Sequence, residues 1–137
     1  MLRFACALVF AAVLLFLSGL HVYWAVGGQW GSEVTIPTVG GRRTLNPSPL
    51  ATFVVAFLLF TAAAMILAEA RISNPLLHLG SWCIVAVFLL RTIGNFNTFG
   101  FFKTVRDTPF ASWDTRLYSP LCLALAGLAA IVALRRD

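Results

Sequence analysis

The sequence predicts an all-α protein, a four-helix transmembrane bundle in a single four-span domain covering residues 1–137. Three observations predict it. First, 60% of the residues are hydrophobic and 11% charged, which is too apolar for a water-soluble globule. Second, the apolar residues form four runs: FACALVFAAVLLFLSGL from Phe4, LATFVVAFLLFTAAAMILA from Leu50, LLHLGSWCIVAVFLL from Leu76 and PLCLALAGLAAIVAL from Pro120. Two runs approach or exceed the ~18 residues of a spanning helix, and the other two extend into their flanks. Third, the polar clusters HVYWAVGGQWG, RTIGNFNTFGFFK and DTPFASWDTRLYSP lie where the first run ends, the third ends and the fourth begins. In an antiparallel bundle all three fall on one membrane face, here called outer.

The first element reads as a retained helix rather than a cleaved signal peptide. Its apolar run continues to Ala25 and Val26, and a clear small-residue cleavage pattern is missing. A substantial outer loop, Gly27 to Pro47, follows. Proline marks the later starts. Ser48-Pro49 opens the second span and Asn74-Pro75 the third; a capping side chain precedes a proline whose missing N–H costs nothing in the first turn. The third span is read as continuing to Phe96, roughly 33 Å of helix, so that its outer end carries Arg91, Gly94 and Asn95. For the fourth, Pro120 to Leu134 gives only about 22 Å, short of a ~30 Å hydrocarbon core. The earlier pair Thr108-Pro109 predicts a helix from Pro109 to about Leu134, kinked at Pro120, where the carbonyl of Arg116 loses its donor.

The formal charge of +5 is dispersed along the chain, which points to bilayer-surface charge and topology rather than to nucleic acid. Arg3, Arg71, Arg135 and Arg136 crowd the short segments on the terminal face. Arg42, Arg43, Lys103, Arg106 and Arg116 are spread over longer segments opposite, partly offset by Glu33, Asp107 and Asp114. That density predicts a multi-pass membrane protein with both termini cytoplasmic. Cys6, Cys83 and Cys122 lie inside apolar runs without paired spacing and read as packing residues. No cofactor or metal is predicted: HExxH, CxxC, a phosphate-binding glycine loop and GxSxG are all missing.

Candidate site residues gather on the outer face. Tyr23, Trp24 and Trp30 fit an interfacial aromatic belt, whereas His21, one turn deeper, needs a partner. Arg91 lies roughly 24 Å along its helix, and an arginine at that depth usually faces the bundle and pairs. Asn95, four residues on, would share its face. Asp114 is the expected counter-ion, with Glu33 second. If the pair is structural, replacing both members by apolar residues should recover much of the stability lost by removing one. Tyr118, four residues after Asp114, is expected to help satisfy Arg91 or the backbone freed by Pro120. Lys103, after GFF, is expected to snorkel to the interface. On the terminal face, Glu69, Arg71 and His78 show no clustering beyond loop chemistry.

Taken together, HVYWAVGGQWG, RTIGNFNTFGFFK and TPFASWDTRLYSPLCL resemble the small bacterial four-helix membrane proteins grouped as domain of unknown function 3995. The resemblance runs from His21 to Leu123. It falls on His21, Tyr23, Trp24, Gly27, Gly28, Trp30, Arg91, Gly94, Phe101, Lys103, Asp114, Tyr118 and Pro120. It implies a short integral membrane protein of the bacterial cell envelope, in the inner (plasma) membrane, without an assigned reaction.

One deep arginine, a nearby histidine and a dense aromatic rim predict a non-enzymatic protein that binds, or helps to move, an anionic amphiphile or membrane lipid in an outward-facing polar pocket. Two alternatives stand beside it. One is a membrane-embedded enzyme acting on a lipid or isoprenoid, with His21 and Asp114 as acid–base groups. The other is a structural assembly subunit. Alanine-rich stretches also suit packing between protomers, so a homo-oligomer is expected, with a trimer as the first assembly to test.

Overall fold

The computed structural model describes residues 1–134; Arg135 and Arg136, two of the terminal-face charges, lie outside the described residues. Four helices are long and apolar enough to cross a membrane: α1 (Leu2–Ala25), α3 (Pro49–Glu69), α4 (Pro75–Ile93) and α5 (Pro109–Leu134). The chain is a multi-pass membrane protein by this measure. The loop between α1 and α3 carries a single helical turn, α2 (Ser32–Thr35), and a two-residue hairpin, β1 (Thr38–Val39) with β2 (Arg42–Arg43). Both the α1–α3 and α4–α5 loops lie on the face away from the chain termini, called distal below.

The helix starts follow from capping. Ser48 Oγ accepts from the Ala51 N–H at 3.1 Å, Asn74 Oδ1 from Leu76 at 2.8 Å and Thr108 Oγ1 from Ala111 at 3.1 Å. Each is followed by a proline where a backbone donor is not required. The end of α4 differs from the expectation. The helix stops at Ile93, because Gly94 takes φ 85°, ψ −167°, a conformation open to glycine and costly for side chains. Asn95 therefore leaves the helix and does not share the Arg91 face.

The irregularity expected at Pro120 is present in a different form. Residues Asp114–Tyr118 make a wide π turn, in which the Ser119 N–H reaches back to the Asp114 carbonyl. Pro120 cannot donate to Arg116, and the wider turn before it accommodates the missing bond. The helix continues through to Leu134.

The core lies among all four helices. Phe10 and Leu14 of α1, Ile66 of α3, and Leu125 and Val132 of α5 are fully buried. Phe10 meets Phe88 of α4 edge to face, with ring centroids 6.0 Å apart. Small residues bring the backbones close: Ala7 and Ala11 of α1 and Ala63 of α3 are buried in the same core, and Ser18 Oγ donates to the Ala56 carbonyl at 2.7 Å. Large apolar residues such as Phe16, Phe57, Leu79 and Leu90 point outward, as they do where the surrounding solvent is lipid. Cys6 is in the core, Cys83 is exposed and Cys122 is half-buried.

Candidate functional site

The distal face is organised around one buried carboxylate. Asp114 has no exposed side-chain surface. Its Oδ1 accepts from Arg91 Nη2 at 2.8 Å. Its Oδ2 accepts from Lys103 Nζ at 3.0 Å and from the Gly100 backbone N–H at 2.8 Å. The Arg91–Asp114 pair read from sequence is thus present, and Glu33, the second choice, is an exposed loop residue.

Lys103 corrects the sequence reading. It does not snorkel; its side chain has no exposed surface, and Nζ donates to Asp114, to the Gly100 carbonyl at 3.1 Å and to Thr115 Oγ1 at 2.5 Å. The cause is a fold-back of the α4–α5 loop. Asn95 Oδ1 accepts from the backbone N–H groups of Asn97, Thr98 and Phe99, which winds the chain tightly. The Phe101 N–H then donates to Thr92 at 2.9 Å. Gly94 and Gly100 lie backbone against backbone, each with positive φ, and a Cβ on either would overlap the other's strand of loop. That contact turns the Gly100 N–H toward Asp114 and carries Lys103 inward behind it. Asn95 is thus a loop-shaping residue rather than a companion of Arg91 on the helix face.

Two cations on one carboxylate leave the cluster with one positive charge in excess. Arg91 carries the accessible part: its side chain is 30% exposed and its Cζ sits 4.8 Å from the Phe99 ring centroid, while its Nη1 is buried with no hydrogen-bond partner among the described residues.

The other candidate residues are placed differently. The Tyr118 hydroxyl donates to the Val34 carbonyl at 3.0 Å, tying α5 to the first distal loop; it satisfies neither Arg91 nor the backbone near Pro120. Trp24 Nε1 donates to the Trp30 carbonyl at 2.8 Å, and the Trp30 N–H to the Tyr23 hydroxyl at 3.3 Å. These three aromatics stitch the end of α1 to its loop, and Trp30 is otherwise exposed. His21 finds its partner locally: Nδ1 lies 2.7 Å from the Leu17 carbonyl, and the ring packs edge-on to Trp24. With Nδ1–H so used, Nε2 is the acceptor nitrogen.

His21 and Trp24 line an open cleft of about 510 Å³ between α1, the first distal loop and α3, which also takes in Glu33, Arg43 and Thr52. Neither Arg91 nor Asp114 lines it. Of the nine candidates, Arg91, Lys103 and Asp114 form one cluster and His21 and Trp24 line a separate cleft, while Tyr23, Trp30, Asn95 and Tyr118 belong to neither. His21 and Asp114 share neither a hydrogen bond nor a cavity.

Residues 14–129 match the family model described as protein of unknown function (DUF3995). The chain belongs to that family. No curated protein and no solved structure matches it. In this DUF3995 protein the family match therefore brings no reaction with it.

A second cluster, on the terminal face, corrects the reading that Glu69 and His78 amount to loop chemistry. Glu69 is buried. Arg3 donates to its backbone carbonyl and lies 3.5 Å from Oε1, while Arg3 Nε donates to Val132 at 3.0 Å. His78 Nδ1 is 3.3 Å from the same Oε1, and His78 Nε2 accepts from Trp82 Nε1 at 3.2 Å. Accepting from tryptophan places the ring proton on Nδ1, so the histidine donates to Glu69. Glu69 Oε2 has no partner among the described residues. Arg71 remains exposed, over the Phe4 ring at 4.9 Å. This cluster joins α1, α3, α4 and α5 at one end; Arg3 is remote in sequence from Glu69 and Val132, and Glu69 and His78 sit on different helices, so spacing does not reveal it.

Proposed function

We propose that the protein binds, or helps to move, an anionic amphiphile such as a membrane lipid, holding its headgroup at Arg91 on the distal face. One observation carries this reading. The buried cluster holds Arg91 and Lys103 against Asp114 alone, and the cation left in excess is the partly exposed one. A purely structural clamp needs one cation for one carboxylate. The additional positive charge costs desolvation, and an anion arriving from the headgroup region offsets it. An arginine suits that role because its planar fork binds phosphate or carboxylate through two donors. Nη1, buried and without a protein partner among the described residues, is the donor left unsatisfied, and a headgroup would reach it by drawing the guanidinium outward.

The same reading puts the protein in a bacterial plasma membrane with both termini cytoplasmic, supported by the arginines close to the terminal ends of the spans. A reporter active only outside the cytoplasm, fused after Asp137, should be silent; activity there overturns the orientation. Assembly into a homo-oligomer, a trimer first among the candidates, is supported by the small residues on the helix faces. A monomeric mass in both mild detergent and nanodiscs contradicts it.

Binding is tested by thermal unfolding in a neutral detergent. A short-chain phosphatidylglycerol should stabilise the protein by ~2.7 kcal/mol at about one hundred times Kd, because only the native state binds it. Chain-matched phosphatidylcholine should do far less, and Arg91→Gln should abolish the difference. Equal stabilisation by both lipids contradicts the reading.

A further inference from the structure

The bundle is unevenly closed. α1 packs along α3 and α4 along α5, whereas α3 and α4 meet much less. Between these two helices runs a groove of about 480 Å³, walled by residues such as Val55 and Ala62 from α3 and Cys83 and Val87 from α4. Its walls are almost wholly apolar. The hydroxyl of Thr61, one of its few polar groups, is already used by the Phe57 carbonyl at 2.8 Å. Met65 lies across the inner end, over Gly80, where a Cβ would overlap its methyl group. Arg91 stands at the distal end.

Length and charge identify the occupant. From Gly80 to Arg91, α4 rises about 16 Å, which is close to half of a ~30 Å hydrocarbon core. The groove thus runs from the headgroup level to near the midplane, the depth of one leaflet. A helix from a second copy of the chain would fill the apolar walls but bring no anion to Arg91. A lipid brings both parts in one molecule.

We propose that this groove takes one acyl chain of an anionic lipid from the distal leaflet, with the charged headgroup on Arg91. The proposal rests on the headgroup reading above and adds the place of the tail. Arg91 selects the lipid by charge; the groove selects by requiring a chain. Because the mouth opens to lipid through exposed Val87 and Cys83 rather than through water, entry and exit are lateral, within the leaflet.

The test uses the full chain in phosphatidylcholine nanodiscs containing a phosphatidylglycerol with a diazirine at the end of one acyl chain. After illumination, crosslinked peptides are mapped by mass spectrometry. Crosslinks should concentrate on the inner end of the groove, around Met65, Gly80 and Cys83. Arg91→Gln should reduce them about tenfold, the factor expected from losing hydrogen bonds to a charged group. Val87→Trp should reduce them as strongly while leaving the fold intact, since Val87 is 62% exposed and the indole fills only the mouth. Crosslinks spread evenly around the lipid-facing surfaces of all four spans overturn the proposal. So does equal crosslinking by a phosphatidylcholine carrying the same chain. If the groove stays unlabelled while short-chain phosphatidylglycerol still stabilises the wild type and not Arg91→Gln, the tail site is wrong and the headgroup reading stands. If that stabilisation is absent as well, both fail.

Discussion

Replacing Asp114 by alanine is the most revealing perturbation of the distal cluster. Its carboxylate receives Arg91, Lys103 and the Gly100 N–H. Without it, Lys103 remains fully enclosed with only the Gly100 carbonyl and Thr115 hydroxyl as acceptors. Removing one partner of a buried pair costs ~3–5 kcal/mol in soluble proteins. The orphaned Gly100 N–H adds ~1–3 kcal/mol. Arg91, partly exposed, relieves some of this by turning toward the headgroups, so a loss of about 4–5 kcal/mol is expected. Against a typical stability of ~5–15 kcal/mol, that is a large fraction. Lys103→Met and Arg91→Met each leave Asp114 with one cation and the Gly100 N–H. Each should cost ~1.5–3 kcal/mol, the value of a hydrogen bond to a charged group, with Arg91→Met at the lower end.

The rescue series discriminates further. Arg91→Met with Asp114→Leu, which the sequence alone expects to restore stability, should not do so, because Lys103 stays buried without an anion. Adding Lys103→Met should restore much of it, since an apolar replacement of a whole buried ionic group is often neutral or better. The assay is reversible unfolding in mixed micelles followed by tryptophan fluorescence. If Asp114→Ala is no more destabilising than Arg91→Met, or if the double variant recovers fully without the change at Lys103, the three-residue cluster is refuted.

Other outcomes follow from the same contacts. Gly100→Ala places a Cβ against the Ile93 carbonyl at φ 89°; it should cost at least ~1–3 kcal/mol from backbone strain and displace Lys103, read as lowered thermal stability in micelles. Tyr118→Phe removes the bond to Val34 and should cost about 1 kcal/mol, with faster hydrogen exchange in the first distal loop (27–47) and unchanged exchange in α4. On the terminal face, Arg3→Met leaves buried Glu69 without its arginine and should destabilise by ~3 kcal/mol or more, whereas Arg71→Met, over the exposed edge of Phe4, should cost no more than about 1 kcal/mol. Similar losses from the two arginine variants would contradict the buried role assigned to Glu69.

The fold was legible because its determinants are local. Apolar runs announce the spans, and Ser48-Pro49, Asn74-Pro75 and Thr108-Pro109 announce their starts through caps that the structure contains. Arg91 and Asp114 were legible for a different reason: a deep arginine needs an anion, and one carboxylate lay at the right height. Lys103 was not, because its burial depends on the contact of Gly94 with Gly100, a tertiary event. The two glycines of TIGNFNTFG, Gly94 and Gly100, are the local hint, and Thr115 carries none. Asn95 was misplaced by the single residue that stops α4. Spacing within α4 pairs His78 with Trp82, but Arg3, Glu69 and His78 come from three different helices, so no single segment betrays their meeting.

The most direct measurement is native mass spectrometry of the protein released from nanodiscs containing equal amounts of chain-matched phosphatidylglycerol and phosphatidylcholine. Wild-type protein should retain the anionic lipid well above its share of the bilayer, and Arg91→Gln should retain the two in proportion. Proportional retention by the wild type, or an anionic preference that survives Arg91→Gln, would contradict the assignment of Arg91 as the headgroup site.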